Sequence, residues 1–184
     1  MRRDLRASTA GAGVVAAALL AVHLAVYGSL AGLLLYYAVE LAAVALAWRG
    51  SGRQPERARP AVRLLALGLT LFFLGDVCWQ VQAELGVGAD VAASDACYLA
   101  SYVALGLGLW RLAGGRERSR DGIVAGWIDT LVVFVAGLAL VWQLSLASIV
   151  SDAELPLGTR LVWSLYPALD AALLGLVMRL LGRV

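Results

Sequence analysis

Residues 71–112 read LFFLGDVCWQVQAELGVGADVAASDACYLASYVALGLGLWRL. Two apolar runs flank a short, acidic, glycine-bearing connection. Each run carries an aspartate: Asp76 within the first, Asp95 at the head of the second. Runs of roughly 20 apolar residues are long enough to cross a hydrocarbon layer as helices. A carboxylate at the centre of such a layer costs about 2.5–3.5 kcal/mol on insertion scales, so acids kept there call for a partner or a task.

The rest of the chain has the same character. Its 184 residues are 61% hydrophobic with a mean hydropathy of +0.82, and only 15% are charged. That composition belongs to an integral membrane protein, with room for about five to seven spans and no soluble domain of ordinary size. The N-terminal MRRDLR followed by an apolar run has the layout of a signal peptide. The run from Thr9 to Val26 exceeds the usual apolar core of one, and a second apolar segment follows at once, so it reads as a retained first helix. Cys78 and Cys97 are too few for a disulfide framework or a zinc cluster, and a single histidine, His23, excludes bis-histidine haem ligation within one chain. Gly114-Gly115 is followed by Arg rather than a phosphate-loop Lys-Ser/Thr. No nucleophile–base pair, zinc spacing or nucleotide fingerprint occurs. The expectation is a protein without catalytic residues, metal or cofactor, whose partner is the lipid bilayer and not nucleic acid.

The hydropathy pattern predicts an all-α integral membrane domain, a six-helix transmembrane bundle filling residues 1–184, with spans at about 9–27, 30–48, 64–83, 92–112, 122–150 and 159–181. The arginines fix its threading, because cytoplasmic loops carry the excess of basic residues. All but Arg160 fall on one side of this arrangement: before the first span, between the second and third, between the fourth and fifth, and at the end of the sixth. Glu84, Asp90, Asp152 and Glu154 fall on the other side with Arg160. Both termini are therefore expected in the cytoplasm, in the plasma (inner) membrane. Trp48, Trp110 and Trp127 lie near the inner ends and Trp79, Trp142 and Trp163 toward the outer ends, as interfacial aromatic belts do.

Glu40, Asp76 and Asp170 are the acids nearest mid-span. Asp95 lies one turn inside the outer end of its span, and Asp129 lies near the inner end. No arginine is deep enough to pair with the mid-span acids unless a side chain reaches inward. Helical spacing puts Asp76, Trp79, Gln80 and Ala83 on one stripe of the third span, and Asp95, Tyr98 and Tyr102 on one stripe of the fourth. Trp163, Tyr166, Pro167 and Asp170 follow at spacings of three and four in the sixth, and Trp142 and Gln143 occupy the outer half of the fifth. Two readings follow. These side chains either bond to one another as polar glue between helices, or they line an outward cavity for a ligand or ion, with Asp76, Trp79, Gln80, Asp95, Tyr98, Tyr102, Trp142, Tyr166 and Asp170 as the contact residues. Glu40 stands apart and suits either the bundle interior or a contact within a homo-oligomer. Pro167 should kink its helix beside Asp170. Cys78 and Cys97 lie at similar depth. Each points well away from its own aspartate stripe, which makes them small packing residues outside the cavity.

Leu74-Gly75-Asp76-Val77 with Trp79, Ser94-Asp95 with Tyr98-Leu99 and Tyr102, Ile128-Asp129, Trp142, and Tyr166-Pro167 with Asp170 together resemble a known pattern. It is that of the multi-helix membrane region found N-terminal to diguanylate cyclase and cyclic-di-GMP phosphodiesterase domains in actinobacterial signalling proteins. The resemblance covers roughly Arg63 to Leu181. Where that family often has Gly-Tyr-Pro, this chain has Ser101-Tyr102-Val103, and no cyclase signature occurs in it. The resemblance implies a sensory or signal-input domain whose cytoplasmic output domain or protein is not in this chain. A small ion- or proton-coupled transporter using the same carboxylates is the alternative. A lipid-acting membrane enzyme is a third reading, with only carboxylates to support it.

Overall fold

The computed structural model describes residues 14, 15, 17–87, 91–114 and 120–181. It is all-helical, 87% helix, with no strand among the described residues. Backbone polar groups are thus satisfied within helices, as a hydrocarbon surrounding demands. Residues 17–25 form α1. Then follow α2 (Leu30–Gly52), α3 (Arg59–Glu84), α4 (Ala93–Gly114) and α5 (Arg120–Val141). A π-helical turn over Trp142–Leu146 joins α5 without a break to α6 (Ala147–Ser151), and α7 covers Leu157–Leu181. Among the described residues, five stretches are long and apolar enough to cross a membrane: Leu30–Gly52, Arg59–Glu84, Ala93–Gly114, Gly126–Ser151 and Leu157–Leu181. The start of the expected first span lies outside the described residues.

The chain divides into two compact units, Met1–Ala43 and Val44–Val184. In the first, Gly28 turns the chain with φ +77°, a conformation open to glycine at little cost. Ser29 then caps α2, its hydroxyl accepting the Gly32 N–H at 3.1 Å. The His23 ring lies 5.9 Å from those of both Tyr27 and Tyr36.

In the second unit α3 packs along α4, α4 along α7, and α7 along α5. The buried apolar residues are mostly small, among them Ala61, Ala66, Ala104, Ala113 and Ala171, while Leu74, Val103, Leu107, Leu131 and Val132 point outward. That distribution is the one expected where lipid surrounds the helices and small residues let backbones approach. A Cβ on Gly68 would stand 2.5 Å from the Leu105 side chain, and one on Gly108 would stand 2.7 Å from Leu65. Between α5 and α7, Gly137 faces Ala171 and Gly175 faces Thr130. This antiparallel register brings the π turn level with Trp163–Pro167, so two departures from regular helix lie side by side: an extra residue in one turn, and a proline lacking an N–H in the other.

Two boundaries differ from the sequence expectation. α3 begins at Arg59 rather than near Leu64, because Pro60 occupies its first turn, where a missing N–H costs nothing. α2 runs on to Gly52 rather than Trp48, and the Trp48 indole donates to Thr70 on α3 at 3.0 Å. The polar loop between these two helices is correspondingly short.

Candidate functional site

The site begins at the end of α3. Gly86, at φ +64°, closes the helix as a left-handed C-terminal residue: its N–H reaches the Ala83 carbonyl, and the Val87 N–H reaches that of Gln82. After the connection, Asp95 closes the start of α4. Its Oδ2 accepts the Ala92 N–H at 2.8 Å, the half of a capping box that the third helical residue supplies, while its own N–H donates to the Ala92 carbonyl. Ser94 bonds Gln82 across the two helices at 3.1 Å. Asp95 thus has one carboxylate oxygen fixed by the backbone and the other turned toward α7.

Three tyrosine–aspartate bonds then join three helices. Tyr98 of α4 donates to Asp76 of α3 at 2.6 Å. Tyr166 of α7 donates to Asp95 of α4. Tyr102 of α4 donates to Asp170 of α7 at 2.7 Å. The rings also touch: Tyr98 and Tyr166 meet edge-to-face with centroids 6.1 Å apart, Tyr102 and Tyr166 also at 6.1 Å, and Phe72 backs Tyr98 at 5.3 Å. Gly75 makes the first bond possible, because the Tyr98 ring lies where a Cβ would be, 2.6 Å from its Cε1.

Above these bonds, at the end of the unit bearing the α3–α4 and α6–α7 connections, lies a cavity of about 910 Å³. Asp76, Asp95, Tyr98 and Tyr166 form its floor and inner wall. Trp79, Gln82 and Ala83 of α3, Trp163 and Pro167 of α7, and Ile149 of α6 complete it toward the mouth, where Gly86, Val87 and Ala92 lie. Such a volume suits a small organic molecule.

Of the residues expected to share a site, the structure brings together Asp76, Trp79, Asp95, Tyr98 and Tyr166. Tyr102 and Asp170 pair with each other outside the cavity lining. Gln80 is a correction: its amide donates to Glu84 at 2.9 Å, and Gln82, two residues on, supplies the amide that faces the cavity. The stripe that α3 turns inward advances from Asp76 by threes, through Trp79 to Gln82, which leaves Gln80 about 100° from Trp79 at its middle. Trp142 is a second correction. It starts the π turn, stands 46% exposed, and leaves Ile149 as the contribution of that span. Ser94 is a lining residue that the sequence pattern missed, although its position beside Asp95 at a helix start was a usable sign. Cys78 and Cys97 are free thiols that lie against each other. They sit about 200° around their helices from Asp76 and Asp95, and neither lines the cavity.

At the opposite end, Arg179 is buried, 6% exposed, with its guanidinium 4.2 Å from the centre of the Trp127 ring, which in turn lies tilted against Trp110 with centroids 4.7 Å apart. A cluster of one cation and two indoles therefore ties the last turns of α7 to α5 and α4.

Compared with known proteins, the chain matches no family model, no curated protein and no solved structure.

Proposed function

We propose that this chain is a membrane-embedded signal-input module, with six spans and both termini in the cytoplasm of a bacterial inner membrane. Its cavity would face the outer side, and its output would be a cytoplasmic domain or protein such as the cyclases and phosphodiesterases of the family it resembles. The arginine distribution supports the threading: Arg53, Arg57, Arg59, Arg63 and Arg111 all lie at the end of the second unit away from the cavity.

The observation that carries the reading is the set of three tyrosine–aspartate bonds. Each bond crosses from one helix to another, and two of them take their atoms from the cavity wall. Any occupant that draws on Asp76 or Asp95 must therefore act on the seams between α3, α4 and α7. The π turn in the α5–α6 span and Pro167 in α7 give the neighbouring pair a place to bend at the same depth. Arg179 and the two indoles transmit displacement of α7 to the arginine-bearing end.

The test uses nitroxide labels at Arg111→Cys and Leu181→Cys, with Cys78 and Cys97 replaced by Ala, in the full chain in nanodiscs. Tyr166→Phe and Tyr102→Phe should each move the inter-label distance by about 1–2 Å, the scale of helix shifts in switching proteins. Unchanged distances in both variants would overturn the reading.

One observation favours a second reading. The line Asp95–Tyr166, Tyr98–Asp76 and Tyr102–Asp170 places alternating carboxylates and hydroxyls over about 10 Å of helix, a layout that suits proton relay in a coupled transporter. Proteoliposomes loaded with a pH-sensitive dye decide between the two: proton flux abolished by Asp170→Asn supports transport, and its absence supports input.

A further inference from the structure

The geometry points to a positively charged organic molecule, an ammonium compound carrying an apolar group, as the occupant of the cavity. This rests on the signal-input reading in taking that cavity as the working site. Two carboxyl groups, Asp76 and Asp95, reach it, and among the described residues that line it there is no arginine or histidine. The nearest arginine along α7, Arg160, is turned toward α6, where its guanidinium meets the Val150 carbonyl at 3.4 Å. Asp95 accepts its hydrogen bonds from the Ala92 N–H and the Tyr166 hydroxyl, neutral donors that orient the carboxyl group and bring no positive charge to it. An anion entering here would meet like charge at low dielectric.

The walls narrow the class further. Trp79, Trp163, Tyr98 and Tyr166 present aromatic surface on three sides, from α3, α4 and α7. Aromatic faces attract a desolvated cation, and ammonium groups are the ligands such enclosures hold best. A bare metal ion fits poorly: among the described residues no three His, Cys, Asp or Glu side chains group closely enough to hold one. A volume of about 910 Å³ also far exceeds what an ion needs and leaves space for an apolar substituent against Ile149, Val87 and Pro167. An ammonium with N–H groups would compete with the Tyr98 and Tyr166 hydroxyls for the same carboxylate oxygens.

The experiment is equilibrium dialysis of the full chain in zwitterionic nanodiscs against three probes of similar shape: benzyltrimethylammonium, neutral neopentylbenzene and the anion benzenesulfonate. Empty nanodiscs give the lipid background. Saturable binding of the cation at least tenfold tighter than of either other probe is expected. Asp95→Asn, which keeps an oxygen for Tyr166, should weaken cation binding about tenfold and leave neopentylbenzene unchanged. Trp163→Leu, which removes aromatic wall and no charge, should weaken it severalfold. Equal binding of the neutral probe by the wild-type chain, or no saturable cation binding, would overturn the assignment without recourse to any variant. The label distances described above separate this from the broader reading. Benzylammonium, whose N–H groups can displace the tyrosine hydroxyls, refutes signal input and leaves the ligand class standing if it binds without moving them. A neutral probe that binds equally and moves them refutes the ligand class and leaves signal input standing.

Discussion

Gly75→Ala is the most revealing single substitution, because it places one methyl group where the aspartate–tyrosine network meets helix packing. The new Cβ would stand 2.6 Å from Cε1 and 2.7 Å from Cδ1 of Tyr98, against 3.4–4 Å for ordinary contact. The ring must retreat by about 1 Å. It is held by Phe72 on one side, by Tyr166 on another, and by its hydroxyl bond of 2.6 Å to Asp76. A displacement of about 1 Å takes that bond to the limit of hydrogen-bond length. Overpacking costs about 1–3 kcal/mol. The lost interhelical bond adds about 0.6–1.7 kcal/mol at membrane-protein values, and replacing a mid-helix glycine returns about 1 kcal/mol. The net cost is about 1–4 kcal/mol. Gly106→Ala is the control, since its Cβ would meet only Leu173, at 3.9 Å, and should be neutral or slightly stabilising. Gly108→Ala, squeezed against Leu65 at 2.7 Å and the Ala61 carbonyl at 3.0 Å, should destabilise through packing alone. The assay is reversible SDS titration of the chain in bicelles, with organic-cation binding measured on each variant. Gly75→Ala should lower both stability and binding, and Gly108→Ala only stability. If Gly75→Ala proves as stable as Gly106→Ala, the α3–α4 seam is not packed as described and the reasoning is refuted.

A double-mutant cycle between Tyr98→Phe and Asp76→Ala should give a coupling of about 0.6–1.7 kcal/mol by the same titration; additive effects would show that the bond contributes nothing to stability. Trp127→Leu removes the ring beneath Arg179 and should destabilise by about 0.5–2 kcal/mol, with Trp110→Leu costing less, because its ring supports Trp127, the ring over which the cation lies. The adjoining thiols of Cys78 and Cys97 should be bridged by phenylarsine oxide, protecting both from a maleimide mass tag in the folded chain and leaving Cys97→Ala with one unprotected thiol. Independent labelling of the two thiols after the arsenical would place them apart.

The helices and the aspartate–tyrosine stripes were legible in the sequence because hydropathy and the 3.6-residue period act within one element. Asp95, Tyr98 and Tyr102 share a face of α4 by spacing alone. Which acid each tyrosine meets depends on the register between helices, and that is set by small residues whose role shows only in contact: Gly75 under Tyr98, Gly68 under Leu105, Gly137 against Ala171. The same cause explains the misplaced amide. Gln80 lies only about 40° around α3 from Asp76, but on the side away from Trp79, and the seam with α4, where Ser94 bonds Gln82, takes the other side. Pro167 was visible as an irregularity, but the π turn over Trp142–Leu146 has no proline or glycine within it to announce it. Trp142 was assigned to the cavity on regular-helix geometry that the extra residue in that turn alters. The cysteines show both sides of this. Phase within each helix rightly set them off the aspartate face, and only the seam reveals that they meet.

Why acids at this depth should be paired with tyrosine rather than arginine has a physical answer. An arginine would cancel the charge and close the site with a bidentate link that a ligand must break at the cost of a buried ion pair. A phenol hydroxyl orients the carboxyl group, satisfies one of its oxygens, and brings no counter-charge. Each such bond is worth little in a membrane protein, on the order of 1 kcal/mol, so an incoming cation can displace it. Because Tyr98–Asp76 links α4 to α3 and Tyr166–Asp95 links α7 to α4, recognition and helix coupling use the same oxygen atoms. A neutral molecule that merely fills the cavity has no means of competing for those oxygens, and so should occupy the space while leaving the three helices where they are. Response would then depend on the charge of the occupant rather than on occupancy.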